Sequence, residues 1–225
     1  MTHYEKFLRF LQKRFVRHQK FGLSLTIGIM LTIFFAFLFG GILQDYIGHD
    51  TLIQADARMA NFVYSLRSDT LNDVMLFSTN LGKWQIVFTG VLIAGFLLFA
   101  LDLLPYLSAL VISVVSGEII IPLIKNLVQR PRPPSIDALV LERGFSFPSG
   151  HSFMAFALYG LVAYFIYRTS TKKIWKILSI ICGGAVIGAI AFSRVYLGIH
   201  WPSDVFASFA LGAAWLSLMI TIQCF

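Results

Sequence analysis

The sequence predicts an all-α, polytopic membrane protein with six transmembrane helices. Of its 225 residues, 57% are apolar and only 13% charged, against roughly 45–50% and about 25% in a typical soluble domain. The charges stand between long uncharged runs rather than being spread along the chain. Crossing the hydrocarbon takes about 20 apolar residues as a helix, and six stretches meet that length: 21–43, 80–101, 104–124, 150–168, 174–193 and 202–222.

The first stretch follows a basic leader, residues 1–20, containing Lys6, Arg9, Lys13, Arg14, Arg17 and Lys20. Its apolar run is too long for a cleaved signal and has no small-residue cleavage site, so it reads as a retained anchor. The segment 44–80 is more polar and is placed on the outer side. Within it, 55–66 reads as a short amphipathic helix lying on the membrane, and Thr70-Leu-Asn-Asp73 as a capping box that opens a helix. The fifth stretch holds Gly184 and Gly188 in a G-x-x-x-G spacing, which suits close helix packing in lipid. The remainder, 21–225, reads as one membrane domain, with 125–149 as its long outer loop.

The formal charge of +7 does not indicate nucleic acid, because the basic residues cap apolar runs instead of forming one stripe. Cys182 and Cys224 both fall in apolar segments and form neither a disulfide framework nor a metal-binding spacing. With a cytoplasmic N-terminus, the leader and Arg168, Lys172, Lys173 and Lys176 lie inside. That orientation follows the preference for positive charge in short inner loops, and puts both termini in the cytoplasm.

Three polar clusters then fall at the outer ends of helices. The first, Lys125 to Pro134, carries Arg130 and Arg132 among prolines that stop the helix and stiffen the exit. Alone, it reads as cations snorkelling at a membrane boundary. The second is Phe147-Pro148-Ser149-Gly150-His151-Ser152, where Ser149 suits an N-cap and Gly150 a close backbone approach. A helix start offers free N–H groups and a favourable dipole to an anion. The third contains Ser193, Arg194, His200 and Asp204, the last two spaced four apart. A carboxylate can hold one imidazole nitrogen and leave the other as nucleophile or base. Together the clusters suit a phosphate, whose oxygens accept several charge-assisted bonds. No carboxylate cage or zinc-ligand spacing accompanies them, so the chemistry reads as metal-free, with no cofactor. Glu118, two turns before Lys125, reads as either a structural ion-pair partner or a substrate contact.

These residues resemble the three ordered signatures of the type-2 phosphatidic acid phosphatase superfamily. The patterns K-x6-R-P, P-S-G-H and S-R-x5-H-x3-D are filled by Lys125 to Arg132-Pro133, by Pro148 to His151, and by Ser193-Arg194, His200 and Asp204. The flanking sequence resembles the bacterial branch of phosphatidylglycerophosphate phosphatase B and undecaprenyl pyrophosphatase. The resemblance implies a lipid phosphatase of the plasma membrane with its active site facing outside. It makes His200 the nucleophile, Asp204 its orienting partner and His151 the proton donor to the leaving group. It assigns phosphate binding to Lys125, Arg132, Ser149, Gly150 and Arg194. Arg130 lies outside the pattern, and a phosphate contact by it is left open. Phosphatidylglycerophosphate, phosphatidic acid and undecaprenyl pyrophosphate all remain open as substrates. A phosphotransferase, a haloperoxidase and a non-catalytic lipid-phosphate transporter are the alternatives. The six spans oppose the haloperoxidase, and the two histidines oppose mere binding.

Overall fold

The computed structural model describes residues 23–48 and 50–223, and all regular structure among them is helical. The basic leader and Cys224 lie outside the described residues. The helices are α1 (Leu23–Gly48), α2 (Asp50–Ser65), α3 (Asp69–Asn80), α4 (Trp84–Ala100), α5 (Leu104–Val128), α6 (Gly150–Thr169), α7 (Lys173–Tyr196) and α8 (Pro202–Gln223). Helix α6 passes through a π-helical turn at Phe156–Gly160.

Five helices are each long and apolar enough to cross a membrane: α1, α5, α6, α7 and α8. The sixth crossing differs from the expected single run over 80–101. Helix α4 has only 17 residues and forms a span only together with α3, the two being bent by 53° at residues 81–83. The break follows from Gly82, a weak helix former. Its position is also crowded: a Cβ there would come within 2.9 Å of Ile190 and 3.0 Å of the His151 ring.

Two local expectations are corrected. The N-cap of α3 is Ser68, whose hydroxyl accepts from Leu71 N–H, so the helix opens two residues before the Thr70 box. The Gly184–Gly188 pair does not form the close helix contact, since a Cβ at either would meet nothing within 4 Å. That contact occurs at Gly183, where a Cβ would lie 2.7 Å from Ala163 of α6.

Helix α1 packs along α8, α7 packs between α3 and α6, and α4 pairs with α5. The core inside this bundle is apolar, centred on Leu110, Phe153, Leu158, Leu161 and Phe165. Many large apolar residues face outward, including Phe37, Phe88, Phe96 and Ile119, as required where the surrounding solvent is lipid. Alternating chain direction brings the C-terminal ends of α5 and α7 and the N-terminal ends of α6 and α8 to one end of the bundle. Arg168, Lys172, Lys173 and Lys176 sit at the α6–α7 connection, at the other end.

Candidate active site

Helix α5 closes in a left-handed turn at Gln129 (φ 51°), whose N–H returns to the Lys125 carbonyl. The chain beyond it crosses the end of the bundle as the 129–149 loop. Lys125 Nζ donates to the Phe145 carbonyl at 2.6 Å, which fastens the loop's far limb over α5. Arg67 fastens the middle, donating to the carbonyls of Tyr196 (2.7 Å) and Asp137 (2.8 Å). Ser149 caps α6: its hydroxyl accepts from Ser152 N–H, and Gly150 is the first helical residue.

All eight residues singled out by the sequence meet at this end of the bundle, Arg132 and Ser149 from the loop itself and the others from the helices and the α7–α8 turn beneath it. His200 is buried, at 1% exposure. Its Nδ1 lies 3.4 Å from Asp204, and its Nε2 lies 3.2 Å from Arg132 Nη1. A guanidinium can only donate, so Nε2 carries the lone pair and Nδ1 carries the proton that faces Asp204. Burial, followed by the charges of Arg194, Lys125 and Arg132, holds the imidazole pKa well below 6.5. The nucleophile assigned from the pattern is therefore neutral, with its free lone pair toward the cations. Asp204 is further fixed by Trp201 N–H at 2.9 Å and by the Ser146 hydroxyl.

Arg130 is committed to two carboxylates. It is 2% exposed and spans two buried carboxylates, with Nη2 on Asp56 at 2.5 Å and Nη1 on Asp204 at 2.7 Å. Asp56 also accepts from the Ser203 N–H at 2.8 Å. Arg130 thus ties amphipathic helix α2 to the start of α8 and holds Asp204, the carboxylate beside His200. Sequence pattern misses Asp56 because one buried acid on an amphipathic helix looks like any polar-face residue.

The main omission is Glu142. Its carboxylate pairs with Arg132 at 3.0 Å and with Arg194, and stands 3.9 Å from both His200 Nε2 and His151 Nδ1. An anion therefore rests between the two histidines, on the arginines that the pattern assigns to phosphate. Arg194 also donates to Thr79 at 2.5 Å, and its buried Nε has no partner among the described residues. The only available signal was that Glu142 is the sole acid between Asp137 and Asp204. Glu118 forms none of the described ion pairs. It lines a cleft of about 200 Å³ with Lys125, Trp84 and His151.

The PAP2 superfamily model matches residues 102–224, more than half of the chain. The chain belongs to the PAP2 superfamily. It is 33% identical over 180 residues to phosphatidylglycerophosphatase B of Bacillus subtilis, covering 78% of this chain and 87% of that protein. It is 30% identical over 188 residues to an undecaprenyl-diphosphatase of Sulfolobus acidocaldarius, covering 81% and 85% respectively. Its fold matches a crystal structure of a transmembrane PAP2-type phosphatidylglycerolphosphate phosphatase from Bacillus subtilis, with a TM-score of 0.77 at 28% identity. That match covers 87% of this chain and 94% of the other. The chain is thus an integral membrane protein of this PAP2 class.

Proposed function

We propose that this PAP2 protein is a lipid phosphatase working through a phosphohistidine on His200. The observation that carries the reading is the pairing of His200 Nε2 with Arg132 at 3.2 Å, beside a carboxylate already seated on Arg132 and Arg194. Substrate phosphate displaces Glu142 and takes its place. Its oxygens accept from Arg132, Arg194, Lys125 and the Ser149–Gly150 helix start. Such preorganised donors are each worth roughly 3–4 kcal/mol in acyl-transfer sites.

The Nε2 lone pair attacks phosphorus while the bond to the leaving oxygen breaks. His151 gives that oxygen a proton. The charge left on the His200 ring is balanced by Asp204 through the Nδ1 proton. In the second step His151 takes a proton from water, the oxygen attacks phosphorus, and the P–N bond breaks. This returns neutral His200 and inorganic phosphate. The positive charge at phosphorus comes from side chains, so EDTA leaves turnover intact.

The substrate is a membrane lipid phosphate or pyrophosphate: phosphatidylglycerophosphate, phosphatidic acid or undecaprenyl pyrophosphate. The named relatives support the first and third. The protein sits in the plasma membrane with its site outside, a placement supported by the basic α6–α7 connection at the opposite end. The test is phosphate release in detergent from all three lipids, with and without EDTA, beside His200→Ala. Release by wild type and none by the variant is expected. Equal release by both would sink the assignment of His200.

A further inference from the structure

The motif residues and Glu142 do not account for the whole cavity above His151. This space, about 400 Å³, is also lined by Asn80, Lys83 and Gln85 from the bend between α3 and α4. None of the three belongs to a PAP2 signature. The bend is fixed against the catalytic machinery. Tyr159 donates to the Leu81 carbonyl at 2.8 Å, and the backbone at Gly82 lies so near the His151 ring that a Cβ would sit 3.0 Å from it. Lys83 follows directly. The bend therefore flanks His151, the residue read as the proton donor, and shares its cavity.

The Lys83 side chain is exposed and has no carboxylate partner among the described residues. As the N-cap of α4 it makes no side-chain capping bond. An ammonium and two carboxamides together make a donor set for an anion. The scissile phosphate already has Lys125, Arg132 and Arg194. In the adjoining cleft, beyond the shared residues Trp84 and His151, the charged residues are Glu118 and Lys125. Lys125 is already assigned to the scissile phosphate, which leaves a carboxylate on that side and Lys83 on this one as the cation for a further anion.

We propose that Lys83, with Asn80 and Gln85, binds a second phosphate carried by the leaving group. The protein then selects lipids bearing two phosphates over lipid monophosphates. The second group is either the phosphodiester beyond a short alcohol or the inner phosphate of a pyrophosphate. This inference rests on His151 being the proton donor to the leaving group. A lysine that merely marks the membrane boundary would treat all substrates alike.

The test is kcat/KM of full-length wild type, Lys83→Met and Lys83→Arg for phosphatidylglycerophosphate, undecaprenyl pyrophosphate and phosphatidic acid in mixed micelles. In Lys83→Met the ratio of two-phosphate lipid to phosphatidic acid falls about tenfold or more, mainly through KM, as for a lost hydrogen bond to a charged group. Lys83→Arg restores the ratio, and added salt shrinks it in wild type. A fall for only one two-phosphate lipid assigns the second phosphate to that linkage. An unchanged ratio in an active variant, or an equal loss on all three lipids, overturns the selectivity. Absence of release from every lipid by wild type overturns the phosphatase reading as well.

Discussion

Glu142→Gln removes the anion that substrate must displace while keeping the side chain's shape. In the resting site its carboxylate holds Arg132 at 3.0 Å and also pairs with Arg194. Hydrogen bonds to charged groups contribute about 1.5–3 kcal/mol each. Glu142 is 30% exposed, so screening by water reduces the pair of contacts to roughly 1–2 kcal/mol in total. An amide still accepts one bond from the arginines but brings no charge. The inhibition constant of orthophosphate should therefore fall by about five- to thirtyfold. The assay is product inhibition of phosphate release, with phosphate varied at fixed ionic strength. KM for substrate should fall in parallel, since the same competitor is removed from both. Unchanged inhibition, or weaker binding of phosphate to the variant, would refute the claim that Glu142 occupies the phosphate position.

The remaining predictions concern the shell around His200. Arg130→Met leaves Asp56 and Asp204 as uncompensated buried carboxylates, a loss of about 3–5 kcal/mol. Thermal unfolding in detergent should show it as a large drop in Tm, which Arg130→Lys does not restore because a single ammonium cannot span both acids; a small drop would mean the bridge is dispensable. His200 has its pKa held below 6.5 by burial and neighbouring cations, so the acid limb of kcat/KM lies below pH 6.5 and moves upward in Lys125→Gln. The same depression has a linked effect on stability. Just below pH 6.5 the unfolded chain binds a proton at this position that the folded chain does not, so stability is lost as the pH is lowered through this range and recovers as it is raised. His200→Asn should flatten that slope, by up to about 1.4 kcal/mol per pH unit.

Some of this arrangement is legible in the sequence because helix ends are legible. Lys125, Ser149, Gly150, His151, Arg194, His200 and Asp204 all stand at or beside the boundary of an apolar run. Alternation of chain direction then sends them to one end of the bundle. What escapes is whatever depends on chain path rather than periodicity. Glu142 lies in a loop whose course is set by Lys125 and Arg67 binding its carbonyls, a tertiary effect with no local signature. Arg130 and Arg132 are two residues apart in the same basic, proline-rich run, yet one is a buried structural bridge and the other faces His200. What separates them is the pairing of Arg130 with Asp56, far upstream in α2, and with Asp204. The divided sixth span is hidden for a similar reason. Hydropathy reads across residues 81–83, while the bend answers to the crowding of Gly82 against His151 and Ile190.

The central claim is a covalent phosphoryl group on His200, and rapid quenching of turnover tests it directly. Protein mixed with phosphate-labelled lipid is quenched in alkali, where a phosphoramidate survives, then digested and mapped by mass spectrometry. The expected result is an acid-labile label on the peptide containing His200, absent from His200→Ala. A label on another residue, or an acid-stable one, would contradict it.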